Sequence, residues 1–247
     1  MSKLLIVEES NILCGIFKKL LDEDGGFEYD IVKTYKDAQE YLSQNRYQFS
    51  VVSRTLPDAN DGEIIALVNK HNISPIVYTT NINEEIIESF ESANVVEYIL
   101  RNRHDNVKYV VSRLNMLKEN MQKTVLVVHK SEIERRYIRQ NLALHNFKVI
   151  MVENAYEAIQ KLEVDDSINL MIVNKELLQV NGLEKIDGLE LVRRVRKMKL
   201  DRLKIIALAE KSNSYETSFF LNEGVNDYLI YQYSRDEFYI RIYQNLK

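Results

Sequence analysis

The chain contains 247 residues, of which 45% are hydrophobic, so it is long enough for one large domain or two ordinary ones with packed cores. The net charge of −4 argues against a nucleic-acid-binding protein, which needs a clustered basic surface. A single cysteine, Cys14, excludes a disulfide framework within the chain, and no apolar run reaches the roughly 20 residues of a membrane helix. The amino terminus runs directly into an apolar strand rather than a signal peptide, so we expect a cytoplasmic chain without membrane contact and with Cys14 in its core.

Five apolar strand segments alternate with five helical segments in the first 121 residues. The first strand, at 3–7, is a continuous apolar run, which is typical of a strand buried on both faces. The other strands are predicted at 29–32, 49–53, 76–79 and 95–100, and the helices at 11–21, 36–45, 63–71, 83–92 and 105–121. Regular alternation of this kind predicts an α/β fold with a parallel sheet and helices on both faces.

The same order of segments occurs again in the second half, which begins with the strand KTVLVV. The strands are predicted at 123–128, 148–152, 169–173, 204–208 and 227–230, and the helices at 132–144, 155–162, 188–198, 214–222 and 234–246. A repeat of roughly 120 residues indicates two copies of one domain, because solenoid repeats are far shorter. We therefore predict two domains, 1–121 and 122–247.

The residue that ends the third predicted strand is the first candidate for function. Open α/β sheets place their chemistry at the carboxyl edge of the strands, and the strand at 49–53 ends on Ser53. A Leu-Pro-Asp turn and the pair Asp61-Gly62 follow it. We interpret Asp58 and Asp61 as loop residues, one in a turn and one near the start of the next helix.

The order of these elements and the residues between them resemble the response-regulator receiver domain, and the resemblance covers the whole chain in two copies. In the first copy it rests on the segments LLIVEES, VVSRTLPDANDG, SPIVYTT and ANVVEYILR. In the second copy it rests on KTVLVVHKS, INLMIVNKEL, KIDGLELVRRVRK, KIIALAE and GVNDYLIY. The resemblance implies two flavodoxin-like (βα)5 domains, each with a five-stranded parallel sheet and helices on both faces.

The resemblance also assigns the pocket positions of the first copy. They are the acidic pair Glu8 and Glu9, the phosphoacceptor position Ser53, the hydroxyl position Thr80, the switch aromatic Tyr98 and the lysine position Arg101. In the family the acceptor is an aspartate, which attacks a phosphoryl donor and shares Mg²⁺ with the acidic pair. A serine hydroxyl has a very high pKa, and the sequence pattern places no general base beside it. We therefore expect no catalytic residue and no resident cofactor in this copy.

Three interpretations of this pocket stay open. In the one we favour, Arg101 forms a permanent ion pair with the glutamates and locks one conformation. In the second, Glu8 and Glu9 are solvated residues at a strand end. In the third, the first copy is an active, atypical phosphoacceptor, which uses Ser53 or a neighbouring carboxylate together with Mg²⁺ on Glu8 and Glu9.

The second copy departs further from the family pattern. His129 and Lys130 stand at the acidic pair, Asn174 at the phosphoacceptor, Ala209 at the hydroxyl position, Tyr228 at the switch aromatic and Tyr231 at the lysine position. A His-Lys pair cannot form a site for a hard cation, so we expect no metal there. We interpret His129 as a structural histidine, because no second metal ligand lies at suitable spacing, and the basic segment 193–202 as a solvated helix face.

The resemblance implies a regulatory module of two pseudo-receiver domains in two-component signal transduction, which binds other proteins and is not itself an enzyme. The family usually communicates through its fourth helix, fifth strand and fifth helix, often by dimerising. In this chain that face spans 82–121 and 212–247, and the tyrosines at 231, 233, 239 and 243 suit an interface. By analogy with other tandem receivers, we expect a GGDEF-type diguanylate cyclase as the output domain.

A flavodoxin-like enzyme or cofactor-binding protein is the alternative from another functional class. Such a protein would hold its cofactor phosphate in a Gly-rich or Ser/Thr-rich loop after the first strand. The corresponding loops here, VEESN and VHKSE, lack that composition. The sequence therefore favours a binding module.

Overall fold

The computed structural model describes residues 2–80, 94–101, 106–200, 202–209 and 221–247. The chain divides into two compact units, Met1–Glu119 and Asn120–Lys247. The helix predicted at 83–92 lies outside the described residues, and so do residues 214–220 of the helix predicted at 214–222. None of the helices within the described ranges is both long enough and apolar enough to span a membrane.

The first unit contains five parallel strands. Its described elements are β1 (Ser2–Val7), α1 (Asn11–Asp24), β2 (Phe27–Val32), α2 (Tyr35–Gln44), β3 (Phe49–Ser53), α3 (Glu63–Lys70), β4 (Pro75–Thr79), β5 (Glu97–Leu100) and α4 (Asn106–Asn120). The strand order is β2-β1-β3-β4-β5, and every pairing is parallel. The predicted alternation of strands and helices is confirmed for the described elements, because the apolar runs of β1, β3 and β4 lie in the core.

The second unit has the same arrangement. Its described elements are β6 (Thr124–Val128), α5 (Glu132–Leu144), β7 (Lys148–Val152), α6 (Ala155–Val164), β8 (Ile168–Asn174), α7 (Gly188–Lys197), β9 (Lys204–Ala209), β10 (Asp227–Ile230) and α8 (Arg235–Asn245). The parallel sheet has the order β7-β6-β8-β9-β10, which matches the first unit strand for strand. The predicted fold class, two flavodoxin-like (βα)5 domains, is confirmed.

The first helix of each unit begins in the same way. Ser10 precedes α1 in an extended conformation, and its hydroxyl accepts a hydrogen bond from the Leu13 N–H. Ser131 does the same for the Glu134 N–H at the start of α5. A side-chain acceptor at this position satisfies a backbone donor that the helix itself leaves unpaired. The first strand and first helix of each unit therefore meet in a fixed turn, which positions the residues just after the strand.

Cys14 is not a core residue, which corrects the sequence-based expectation. Its side chain is only half-buried on α1, and its thiol donates a hydrogen bond to the Glu8 carbonyl oxygen at 3.2 Å. Partial burial raises the pKa of the thiol, and the nearby Glu8 charge raises it further. Cys14 is consequently a less reactive thiol than a free cysteine in water.

Candidate functional site

In the first unit, one cluster forms at the edge of the sheet where the strands end. Glu8 follows β1, Ser53 is the last residue of β3, and Arg101 follows β5. The Arg101 N–H donates to the Thr79 carbonyl oxygen at 2.8 Å, so the backbone of Arg101 continues the pairing of β5 with β4. The Arg101 side chain crosses the end of β4 and reaches the other two residues.

Arg101 and Glu8 form an ion pair that is largely removed from water. Arg101 Nη2 lies 2.7 Å from Glu8 Oε2, and the two side chains are 14% and 2% exposed. The same Nη2 atom also contacts the Ser53 hydroxyl oxygen. The ion pair that the sequence suggested is therefore present, with Glu8 as the partner. Removing one member of such a pair is costly, because the other charge is then left buried without compensation.

Tyr78 contacts the Arg101 side chain through both its backbone carbonyl and its ring. Sequence patterns did not identify this residue. Arg101 Nε donates to the Tyr78 carbonyl oxygen at 3.1 Å, and the guanidinium carbon lies 5.3 Å from the centre of the Tyr78 ring. The ring is fully buried, and burial raises the pKa of its hydroxyl, an effect that the Arg101 charge partly opposes. An aromatic face of this kind attracts a guanidinium. Arg101 is thus fixed by backbone, aromatic and acidic groups together.

The second oxygen of Glu8 is also occupied. Glu8 Oε1 accepts a hydrogen bond from the Ser10 N–H at 2.9 Å, within the turn that starts α1. Glu9 does not join this cluster: its side chain is exposed, and it forms no ion pair within the described part of the chain. The predicted acidic pair is therefore divided between the pocket and the solvent, because consecutive residues after a strand point in different directions.

Two further predicted positions lie away from the cluster. Thr80 is exposed, whereas its neighbour Thr79 is buried at the end of β4. Tyr98 packs half-buried against the hydrophobic core on one side of the sheet, and burial raises the pKa of its hydroxyl. Of the six predicted positions of this unit, Glu8, Ser53 and Arg101 are thus brought together.

Asp58 and Asp61 lie in the loop before α3, as the sequence suggested, and Asp58 has a structural role there. Asp58 accepts hydrogen bonds from the N–H groups of Tyr35 and Lys36 at 2.8 and 3.0 Å, and these bonds lower the pKa of its carboxyl. It therefore fixes the start of α2. Asp61 is exposed near the start of α3. Across the described residues, no group of three or more His, Cys, Asp or Glu side chains is placed to hold a metal ion.

In the second unit, His129 occupies the place that Glu8 has in the first. Its ring is 3% exposed, and Nδ1 accepts a hydrogen bond from the Ser131 N–H at 3.0 Å. Burial lowers the pKa of His129 to about 4, so the imidazole is neutral at neutral pH. Its Nε2 atom is buried without a hydrogen-bond partner among the described residues. Lys130 points outward and pairs with Glu176.

Asn174 ends β8 at the position of Ser53. Its side chain is 2% exposed, and Oδ1 accepts a hydrogen bond from the Glu176 N–H at 2.8 Å. Gly188, the first residue of α7, packs so closely that a Cβ atom there would lie 2.2 Å from the Asn174 carbonyl oxygen. Asp187 caps this helix by accepting from the Glu190 N–H at 2.8 Å. The predicted Asp187-Gly188 element is therefore needed for a close approach of backbone to backbone.

The remaining predicted residues of this unit are placed as follows. Ala209 is the last residue of β9, and Tyr228 is buried in β10. Tyr231 lies half-buried after β10, with its ring edge-on to Tyr233 at a centroid distance of 6.4 Å. Tyr231 follows β10 as Arg101 follows β5, so among the described residues an aromatic side chain stands at this position.

Two of the four carboxyl-terminal tyrosines that the sequence suggested as interface residues, Tyr239 and Tyr243, make contacts inside the second unit. The Tyr239 hydroxyl donates to the Asn141 carbonyl oxygen at 2.8 Å, and the Tyr239 ring stacks on His145 at 3.5 Å. The Tyr243 hydroxyl lies 2.6 Å from His145 Nδ1. These rings fill the space between α8 and α5, so they stabilise the second unit from within.

Three arginines of the basic segment, all on α7, are engaged in intramolecular contacts. Arg193 pairs with Glu223 at 2.7 Å, and Arg194 pairs with Glu184 at 2.8 Å. Arg196 donates hydrogen bonds to the Leu203 and Gly224 carbonyl oxygens. Positive charges that are paired in this way do not form the open basic surface that nucleic-acid binding requires.

Comparisons with known proteins point to one family. The model of the response regulator receiver domain matches residues 125–243. A crystal structure described, provisionally, as a two-component system response regulator/GGDEF domain protein has a TM-score of 0.85 and 27% identical residues, and the match covers 100% of this chain and 98% of that chain. A second solved structure with a similar description gives the same values. No curated protein matches the chain.

Proposed function

We propose that this chain regulates a signalling output by binding and not by accepting a phosphoryl group. It contains a response regulator receiver domain at 125–243, which follows a second domain of the same fold. The observation that carries the proposal is the contact of Arg101 with Glu8 and Ser53. Receiver chemistry needs a carboxylate nucleophile and a Mg²⁺ site at this edge of the sheet. In this chain the Arg101 guanidinium contacts Glu8, which would have to bind the metal, and Ser53, which would have to act as the nucleophile.

The groups of the first unit do not fit Mg²⁺. Both Glu8 oxygens are engaged, one with Arg101 and one with the Ser10 N–H. A divalent cation would have to displace the guanidinium, which costs about 3–5 kcal/mol for a buried pair that loses its partner. Ser53 offers a neutral hydroxyl in place of the carboxylate that a hard cation prefers. We infer a pocket closed by its own side chains, which holds the first unit in one conformation.

The second unit supports the same conclusion on different grounds. His129 is neutral at neutral pH, and Asn174 is a neutral amide whose oxygen is already engaged with a backbone N–H. A pocket of neutral groups attracts neither Mg²⁺ nor a phosphoryl dianion. Both units are then pseudo-receivers, in which the fold has been kept for protein contacts.

The partner that we propose is an output domain of the GGDEF type. Two solved structures that match the full chain at 27% identity are described as response regulator/GGDEF domain proteins. Contact or dimerisation would use the face formed by β5 and α4 in the first unit and by β10 and α8 in the second. Parts of that face, at 82–93 and 210–220, lie outside the described residues. We place this module in the cytoplasm, where two-component regulators work.

The proposal is tested by incubating the full chain with acetyl phosphate and Mg²⁺ and measuring its intact mass. We expect no phosphoryl adduct, while a receiver domain with an acceptor aspartate, treated in parallel, gains one. A stoichiometric adduct that disappears in Ser53→Ala would instead establish the alternative, an atypical phosphoacceptor in the first unit. An adduct that survives Ser53→Ala and is lost in Asp61→Asn would assign that role to a loop carboxylate.

A further inference from the structure

A large polar cleft lies at the opposite edge of the first sheet, where the strands begin. It measures about 700 Å³ and opens between the ends of α2 and α3. Arg46, Lys70 and His71 line it together with Leu42, Asn72 and Ile73. A volume of this size falls within the range of about 300–1,000 Å³ that small-molecule sites occupy. The cleft is separate from the Glu8–Arg101 cluster, so its role does not depend on the function proposed above.

The charge of this cleft is positive. Arg46 and Lys70 are exposed, no aspartate or glutamate lines the cleft, and neither cation has an ion-pair partner among the residues that the structure describes. The carboxyl ends of α2 and α3 contribute about half a negative charge each, or about −1 together, against +2 from the two side chains. A net positive charge of about one therefore remains.

Three carboxylates, Glu28, Asp30 and Glu40, neighbour the lining residues, and each has a partner. Asp30 accepts a hydrogen bond from the Tyr47 hydroxyl at 2.7 Å, and Lys3 pairs both with Asp30 at 3.3 Å and with Glu28 at 3.8 Å. Glu40, one turn back on α2, accepts a hydrogen bond from Gln44 at 3.4 Å. None of these carboxylates lines the cleft, and Arg46 and Lys70 form no ion pair with them among the described residues.

The second unit provides an internal comparison, because its fold is the same. The equivalent cleft, between the ends of α6 and α7, is smaller, at about 380 Å³. Asp165 and Asp166 line it opposite Lys199 and Arg202, so its side-chain charges cancel. A positive cleft is therefore a property of the first sequence and not of the fold.

We propose that the cleft of the first unit binds a small organic anion of nucleotide size, whose phosphate or carboxylate group contacts Arg46 and Lys70. Leu42 and Ile73 line the cleft but are almost fully buried in the core, whereas the exposed side-chain amide of Asn72 provides hydrogen bonds to the ligand. Lysine and arginine are the side chains that bind phosphate and carboxylate groups most effectively. The first unit would then sense a metabolite at the edge of the sheet that phosphorylation does not use.

Titration calorimetry at low ionic strength, with the full chain, tests the proposal. The probes are guanosine 5′-monophosphate, citrate and the neutral nucleoside guanosine. We expect at least one anion to bind and guanosine not to bind. Binding by the nucleotide alone indicates a phosphate ester, and binding by citrate alone indicates a carboxylate. The absence of binding by both anions overturns the proposal.

Paired charge reversals locate the site. Arg46→Glu with Lys70→Glu should weaken anion binding at least tenfold, whereas Lys199→Glu with Arg202→Glu in the second unit should leave it unchanged. All four side chains are exposed, so the variants are expected to fold, and circular dichroism checks this. Equal loss of binding in both double variants would show that anion affinity depends on the net charge of the protein and not on this cleft, and the proposal would then be wrong.

Discussion

Arg101 and Glu8 are 93 positions apart in the sequence, yet their side chains form an ion pair of 2.7 Å that is nearly closed to solvent. The pair connects the residue after the last described strand of the first unit to the residue after its first strand. It therefore depends on the complete sheet, because the two residues meet only when β1, β3, β4 and β5 are aligned.

Removal of the arginine should destabilise the first unit. In Arg101→Ala the Glu8 carboxylate stays buried without compensation, and we expect a loss of about 3 kcal/mol in the free energy of unfolding. The matched control is Lys19→Ala, which removes an exposed pair with Glu23 and should cost less than about 0.5 kcal/mol. Urea titration followed by circular dichroism measures both. Equal effects of the two substitutions would contradict a structural role for the Arg101–Glu8 pair.

Acid should destabilise the second unit through His129. Its pKa is about 4 in the folded state against an ordinary value of 6.5, so the unfolded chain binds one more proton between these values. Stability is then complete above pH 6.5 and falls as the pH drops toward 4, by about 3 kcal/mol. His129→Gln keeps an acceptor for the Ser131 N–H and should remove this pH dependence. Ile133→Gln, at a non-titrating and exposed position of the same unit, is the control and should leave the slope unchanged.

Two glycine-to-alanine substitutions should have opposite effects. Gly188→Ala places a methyl group 2.2 Å from the Asn174 carbonyl oxygen, and the required backbone shift should cost about 2–3 kcal/mol. Gly15→Ala, within α1, meets no atom within 4 Å and should stabilise the helix by about 0.5–1 kcal/mol. Thermal unfolding measures both effects: the melting temperature should fall in Gly188→Ala and rise in Gly15→Ala. A tolerated Gly188→Ala would mean that α7 can move away from β8 at little cost.

Asn120, the first residue of the second unit, should matter to the stability of that unit. Asn120 is fully buried, and its amide donates to the His145 carbonyl oxygen at 2.9 Å and to the Tyr243 hydroxyl at 3.1 Å. We expect Asn120→Ala to lower the unfolding free energy of this unit by about 1–3 kcal/mol, because buried acceptors lose a donor. Glu119→Ala, at the preceding residue, is the control. Hydrogen exchange of the α5 and α8 amides would show the loss, and unchanged protection in Asn120→Ala would contradict it.

The sequence predicted the fold well because long-range order here follows from short-range patterns. The apolar runs of β1, β3 and β6 specify buried parallel strands, and the N-cap serines mark the starts of α1 and α5. A pair such as Arg101 with Glu8 could be suggested because both residues follow strands that end at one edge. The choice between Glu8 and Glu9 depended on backbone direction after the strand, which sequence patterns do not give.

The failures have a common physical cause. Tyr239 and Tyr243 were predicted as interface residues because their rings are amphipathic, but each hydroxyl has an internal partner, Tyr239 is buried and Tyr243 packs against the core. Cys14 looked like a core residue, but its place on α1 leaves it half-exposed. Tertiary packing decides which hydrogen-bond partners an amphipathic side chain finds, and so whether it faces inward. Tyr78 was missed because its contact with Arg101 likewise depends on tertiary packing.

The turn before the first helix has one more consequence. In one unit the Ser10 N–H is received by a carboxylate, and in the other the Ser131 N–H is received by an imidazole nitrogen. The backbone N–H at this position needs a hydrogen-bond acceptor, and either a charged or a neutral side chain can provide it. The charge of the pocket can therefore differ between the two units while the first helix begins at the same place in both.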